Sequence, residues 1–327
     1  MSAAVAVPLF LVSLGVTLAA ARLFARRLDR LGVRFGFPEA LIGLLTAVAA
    51  DGPEISSALF ALAKGAHDVG VGVLVGSNGF NLAAMIGVSA LVTGRVRLAR
   101  ETLLFEGTVG LIITLLASAL LLRWLSPAGT TIASAVVAVP YLTVVVAGPR
   151  FRGHSLSRLS RALHEHAATD RPPDTSSDPT HHLLALIVVD LILIVAGSAG
   201  MVQSALSLAG DWHISDAVLG FLILGPLTSI PNALTAVRLG LAGRGAALVG
   251  ETFNSNTINL GFGVIVPSLF VTFAAVSTLG KLQLAWLIGA TLFTMAALAR
   301  PGGMNRPGGA VLVILYFAFV AGTLVGS

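Results

Sequence analysis

AADGPEISSA (residues 49–58) interrupts an apolar run that opens with PEALIGLLTAV at residue 38 and goes on with LFALAK to residue 64. It sets Asp51, Gly52, Pro53 and Glu54 where a membrane helix would carry leucine or valine. Two carboxylates and a helix breaker at one depth exclude an ordinary lipid-facing span. Either the run does not cross a membrane, or these residues serve chemistry inside it.

Composition decides between the two. The chain has 327 residues, of which 56% are hydrophobic and 11% charged, and its mean hydropathy is +0.92. Soluble domains carry about 25% charged residues. Apolar runs long enough to cross ~30 Å of hydrocarbon recur along the chain, roughly at 3–21, 37–63, 69–93, 102–123, 129–148, 183–209, 216–242, 246–272, 279–298 and 308–326. The 36 glycines suit close packing of membrane helices. The fold class is an all-α polytopic membrane protein with ten transmembrane helices.

Lysine and arginine collect in cytoplasmic loops. With ten spans and both termini outside, 17 of the 20 basic residues fall in inside loops, and Lys64, Arg123 and Lys281 alone fall outside. The sequence pI of 10.6 then reflects topology, so no nucleic-acid partner is implied. The first apolar run has no basic residue before it and an arginine cluster after it, which reads as a first span and not as a cleaved signal. The chain has no cysteine, which excludes disulfides and thiolate metal sites.

Residues 149–182 are polar and basic, and five of the seven histidines lie there, at 154, 164, 166, 181 and 182. Without an ordered ligand spacing they read as part of a solvated cytoplasmic linker. The linker would divide a first five-helix half, 1–148, from a second, 183–327. An offset of 178 residues aligns PEISSALFALAKGAHDVGVGVLVGSNGFNL (53–82) with PNALTAVRLGLAGRGAALVGETFNSNTINL (231–260) without a gap, at nine identities in thirty. The identities include Pro53/Pro231, Gly65/Gly243, Gly72/Gly250, Ser77/Ser255, Asn78/Asn256 and Asn81/Asn259. Five spans per half place the two copies in opposite orientations, the inverted-repeat plan of many secondary transporters, whose site lies where the repeats meet.

Proline cannot donate to the carbonyl four residues back, so breaks are expected at Pro53 and Pro231. Backbone oxygens freed at membrane depth must face protein or a cavity. Beside carboxylates, hydroxyls and amides they form an oxygen-rich cage suited to hard cations such as Na⁺ and Ca²⁺. Asp51 and Glu54 share a helix face if the helix persists, and Ser77 and Asn81 in the next span can point toward them. The second repeat offers Thr228, Ser229 and Asn232, then Ser255 and Asn259, with Glu251 one turn before Ser255. Acidic groups at this depth are functional candidates by default. Asp190 is an isolated acid in the sixth span, readable as a tuner of helix sliding or as a hydrogen-bonded structural acid, and Glu101 and Glu106 read as residues at a span end.

A Pro-Glu pair followed by GSNxFN and duplicated in inverted halves resembles the calcium/cation antiporter superfamily, which includes the Na⁺/Ca²⁺ exchangers. Its repeats typically read GTSxPE, then GxxxGSNxFN or GSNxFD. Here they read AADGPE (49–54) with GVLVGSNGFN (72–81), then LTSIPN (227–232) with GETFNSNTIN (250–259). The resemblance implies that Glu54 is one central cation ligand and that Asn232 stands where the second Glu would be. Asp51 replaces a hydroxyl of the first repeat, Thr228 and Ser229 keep those of the second, and Ala50 offers only its carbonyl. Ser77, Asn81, Ser255 and Asn259 complete the cage, so one carboxylate has moved from repeat two to repeat one.

The expected activity is secondary antiport of a cation, Ca²⁺ foremost, against Na⁺ or H⁺, with Na⁺/H⁺ or another divalent cation/H⁺ exchange as the alternative. Neighbouring carboxylates at this depth repel until a proton or cation intervenes, so the exchanged ions are expected to compete for Asp51 and Glu54. A cation channel or a transport-inactive ion-binding protein would use the same cage. An enzyme is not expected, since HExxH and GxSxG are absent and no histidine falls within a span. No cofactor and no obligate protein partner are implied beyond the lipid bilayer and inorganic cations, and the plasma (inner) membrane is the expected location.

Overall fold

The computed structural model describes residues 1–37, 39–147 and 179–325. The linker reading of 149–182 and three of its histidines (154, 164 and 166) therefore lie outside the described residues. The first half runs through α1 (Ala3–Arg34), α2 (Glu39–Ala50), α3 (Gly52–Ala63), α4 (His67–Thr93), α5 (Arg100–Leu121) and α6 (Pro127–Ala147). The second runs through α7 (Thr180–Trp212), α8 (Asp216–Leu241), α9 (Gly245–Leu260), α10 (Thr278–Leu298) and α11 (Arg306–Val325).

Among the described residues eight helices are long and apolar enough to cross a membrane. The broken pair α2–α3 and the 16-residue α9 take the two remaining span positions, consistent with ten. The chain is an integral membrane protein of two inverted five-helix repeats. Helices α4 and α9 begin 178 positions apart, and so do α5 and α10, so the offset of the sequence repeat holds beyond the aligned thirty residues.

The repeat motifs sit at the irregular points of the backbone. Helix α2 stops at Ala50, Asp51 turns the chain with φ −83° and ψ 1°, and α3 restarts with Pro53 in its first turn. Proline is tolerated there because the amide it lacks has no partner inside the helix. Pro231 behaves otherwise than expected, since α-helix runs unbroken from Gly225 to Leu241 with the proline inside it. Losing one hydrogen bond does not break a helix that is packed on several sides. The departure from α geometry in α8 lies earlier, in a π-helical stretch Leu219–Leu224. Similar stretches follow both Ser-Asn motifs, at Asn81–Val88 within α4 and at Gly261–Ile265 after α9; such stretches often mark functional sites.

Helix α4 is enclosed almost throughout, whereas α6 turns most of its surface outward. Phe221, Phe253, Leu74, Leu82 and Met85 fill the interior around α4, α8 and α9. The packing is close enough that a Cβ on Gly76 would stand 2.3 Å from the Phe221 carbonyl oxygen. Gly65 and Gly243 close the turns before α4 and α9 at φ +78° and +73°, a region costly for any residue with a Cβ. A two-residue antiparallel bridge, Arg95–Val96 with Met304–Asn305, ties the loop after α4 to the loop before α11.

Helices α1 and α7, of 32 and 33 residues, are about 50 Å long and exceed the thickness of the hydrocarbon core. They lie against each other, with Gly197 and Gly200 admitting Thr17 and Ser13. The Arg27 guanidinium pairs with Asp190 at 2.5 Å and also donates to the Leu186 carbonyl. The isolated acid of the sixth span thus has a structural partner 163 residues away.

Candidate cation site

The break at Asp51 aims two carboxylates into the contact between the repeats. Asp51 and Glu54 are buried to 1% and 0% exposure. Asp51 Oδ1 accepts from Asn232 Nδ2 at 2.9 Å and from Ser255 Oγ at 2.7 Å. Glu54 Oε1 accepts from Ser229 Oγ at 2.8 Å. Under the 178-residue offset Asp51 corresponds to Ser229 and Glu54 to Asn232. The hydrogen bonds therefore cross between repeats: acceptors come from the first, donors from the second.

A symmetric lattice of asparagines lies beneath. Asn78 Nδ2 donates to the Asn256 carbonyl at 3.0 Å, and Asn256 Nδ2 returns a bond to the Asn78 carbonyl at 3.2 Å. Asn81 Nδ2 donates to Ser255 Oγ and Asn256 Oδ1, both at 3.1 Å. Its counterpart Asn259 donates to Ser77 Oγ at 3.3 Å and Asn78 Oδ1 at 3.0 Å. Every bond of this lattice has its image in the other repeat.

What the lattice leaves over is a set of acceptors. Among the described residues Asp51 Oδ2, Glu54 Oε2, Asn81 Oδ1 and Asn259 Oδ1 are buried without a hydrogen-bond partner. Each buried polar group normally has one. Two carboxylate and two amide oxygens, with no thiolate or imidazole, form the hard donor set preferred by Ca²⁺ and Na⁺. No group of three or more His, Cys, Asp or Glu side chains suited to a metal occurs among the described residues, so any ion here relies on amides and hydroxyls beside the two acids.

The expected residues do not all join this cage. Asp51, Glu54, Ser77, Asn81, Ser229, Asn232, Ser255 and Asn259 are linked by the bonds above. Thr228 is buried, but its hydroxyl donates to the Leu224 and Gly225 carbonyls of its own helix. Ala50 and the half-buried Glu251 line a cavity of about 630 Å³, together with Pro53, Pro231 and Asn232. The cavity reaches the cage from the end of the molecule that carries Arg22, Arg26, Arg238 and Arg244.

Sequence reasoning missed three features. Asn78 and Asn256 were visible only as an identity between repeats, yet they fix the amides of the cage. Glu106, assigned to a span end, is instead 6% exposed inside α5 with Oε2 unpartnered, and its carboxylate occupies the space that a Cβ on Gly250 would need. Beside it the Tyr141 hydroxyl donates to Asn254 Oδ1. Asn254 replaces the second glycine of the GxxxG spacing, a departure that the motif itself exposes.

An inverted-repeat membrane fold with a polar contact between its repeats is the plan of many secondary transporters. The family model for the sodium/calcium exchanger protein matches residues 5–147 and 182–325, and the chain belongs to that family, whose members are transporters and not enzymes. CaxA of Alkalimonas amylolytica, a protein designated an antiporter, is 25% identical over 284 residues, covering 85% of this chain and 86% of CaxA. The structure of native YfkE superposes with a TM-score of 0.67 at 18% identity, covering 97% of this chain and 92% of YfkE. The sodium-calcium exchanger NCX_Mj gives a TM-score of 0.61 at 20% identity over 97% and 98% of the two chains. These likenesses show the same fold and are consistent with ten helices, and cation antiport follows from the family.

Proposed function

We propose that this protein exchanges Ca²⁺ for Na⁺ or H⁺ across the plasma (inner) membrane, with the cage around Asp51 and Glu54 as the shared site. The observation that carries the reading is the set of four unpartnered oxygens, Asp51 Oδ2, Glu54 Oε2, Asn81 Oδ1 and Asn259 Oδ1. Donors from the second repeat hold the other oxygen of each carboxylate, so the free oxygens are oriented before an ion arrives. Two acids balance one divalent cation, two Na⁺ or two protons, so the exchanged ions occupy the cage in turn. Glu251 and Ala50, which line the cavity, serve the approach to the cage.

The distribution of basic residues supports cytoplasmic placement of the 149–182 linker and of the arginine-bearing end, with both termini outside. On that orientation the cavity opens inward, and rocking of one repeat-derived bundle against the other would close it and open the opposite face. Division into halves 1–148 and 183–327 follows the same reading.

The test is ⁴⁵Ca²⁺ uptake into proteoliposomes under an outward Na⁺ gradient, an outward proton gradient or no gradient. Uptake that requires either gradient is the expected result, and the effective gradient names the counter-ion. Equal uptake under all three conditions would mark a channel. Absence of uptake by folded protein would reject calcium as substrate.

A further inference from the structure

The route to a cation site is lined with cations. Arg22 and Arg26, one turn apart on α1, Arg238 in the last turn of α8 and Arg244 just before α9 all border the 630 Å³ cavity. Glu251 is the one acid among the described residues of its wall. Arg27 pairs with Asp190 outside this wall, and Arg22, Arg26 and Arg238 are exposed there. A preference for basic residues on one side of the membrane explains arginines in loops. It does not explain why three separate elements direct them to one cavity, where the summed potential opposes entry of Ca²⁺ or Na⁺.

We propose that this cavity holds a phosphate-type oxyanion between Arg22, Arg26 and Arg238, in front of the cation cage. Guanidinium groups bind phosphate oxygens through paired, planar hydrogen bonds, and three of them around one anion give a site that a spherical halide does not match. Bound hydrogen phosphate would cancel most of the excess charge and leave Glu251 as the first group met by an entering cation. Phosphate from solution and the headgroup of an anionic lipid supply the same chemistry. The anion site stands without the exchange reading; its effect on transport rests on it.

The experiment titrates purified protein in phosphatidylcholine nanodiscs with inorganic phosphate by calorimetry, with chloride as control, and repeats the titration on Arg22→Gln/Arg26→Gln and on Arg238→Gln. A parallel arm measures retention of phosphatidylglycerol by the same three proteins in native mass spectrometry. ⁴⁵Ca²⁺ uptake is recorded with and without phosphate. Saturable phosphate binding, weakened about tenfold or more in the variants, supports a site for a free anion. Phosphatidylglycerol retained by wild type and lost from the variants, without phosphate binding, supports a lipid source. Equal phosphate affinity and equal lipid retention in wild type and both variants overturn the proposal. If binding is lost in the variants while wild type shows no calcium uptake, the anion site stands and the exchange reading fails.

Discussion

At the depth of the cage the first repeat presents Asp51 and Glu54, and the second presents Ser229 and Asn232 at the matching positions. Below them the repeats are equals, with Asn78 and Asn256 exchanging bonds and Asn81 and Asn259 making the same two each. Scaffold symmetry is kept while the charge is gathered on one side. A lattice of amides must satisfy its own donors and acceptors, and a two-fold arrangement does this with one motif used twice. On the proposed exchange reading ion binding has no such requirement, since a total charge would serve from either repeat.

The largest effect is expected where charge is unequal. Glu54→Gln should lower ⁴⁵Ca²⁺ exchange by about a hundredfold, ~2.7 kcal/mol, while thermal melting stays near wild type because Ser229 can still donate to the amide oxygen. Asp51→Asn should also impair exchange, and adding Asn232→Asp should recover it to within roughly tenfold of wild type, since the pair stays in contact. Failure of the double variant with intact folding would show that the side on which the charge sits matters as well as its sum.

Smaller effects probe the scaffold. Gly76→Ala drives a Cβ toward the Phe221 carbonyl and should cost about 1–3 kcal/mol, whereas Asn254→Ala at the matching position gives up its bond to Tyr141 for about 1 kcal/mol. Thermal unfolding in detergent orders the two. Asn78→Ala and Asn256→Ala should each destabilise by about 1–3 kcal/mol and by equal amounts; a clear difference between them would break the symmetric account. Gly65→Ala and Gly243→Ala should again be matched, at about 1–2 kcal/mol for the left-handed backbone they need.

These pairs also show what could be read from the chain. Gly65 and Gly243, or Ser77 and Ser255, announce themselves because one physical need recurs at a fixed offset and leaves the same residue twice. The carboxylates at 51 and 54 stand out because apolar surroundings make them costly. Pro231 misled because a local rule predicts a break, and only tertiary packing keeps that helix whole. Glu106 looked like a span-end acid because sequence gives depth along a helix but not the face it turns to its neighbour. The Arg27–Asp190 pair and the arginine-lined cavity join residues remote in sequence, and no local pattern encodes such meetings.

The central claim is that a cation occupies the oxygens the hydrogen bonds leave free. Its most direct test is an experimental structure of the protein equilibrated with Ca²⁺, and with Sr²⁺ for anomalous contrast. The account predicts one ion within about 2.3–2.6 Å of Asp51 Oδ2 and Glu54 Oε2 for Ca²⁺, with the Asn81 and Asn259 side-chain oxygens completing its shell. An ion held at Glu251 in the cavity instead, with the Asp51–Asn232 and Glu54–Ser229 bonds undisturbed and the cage dry and empty, would contradict it.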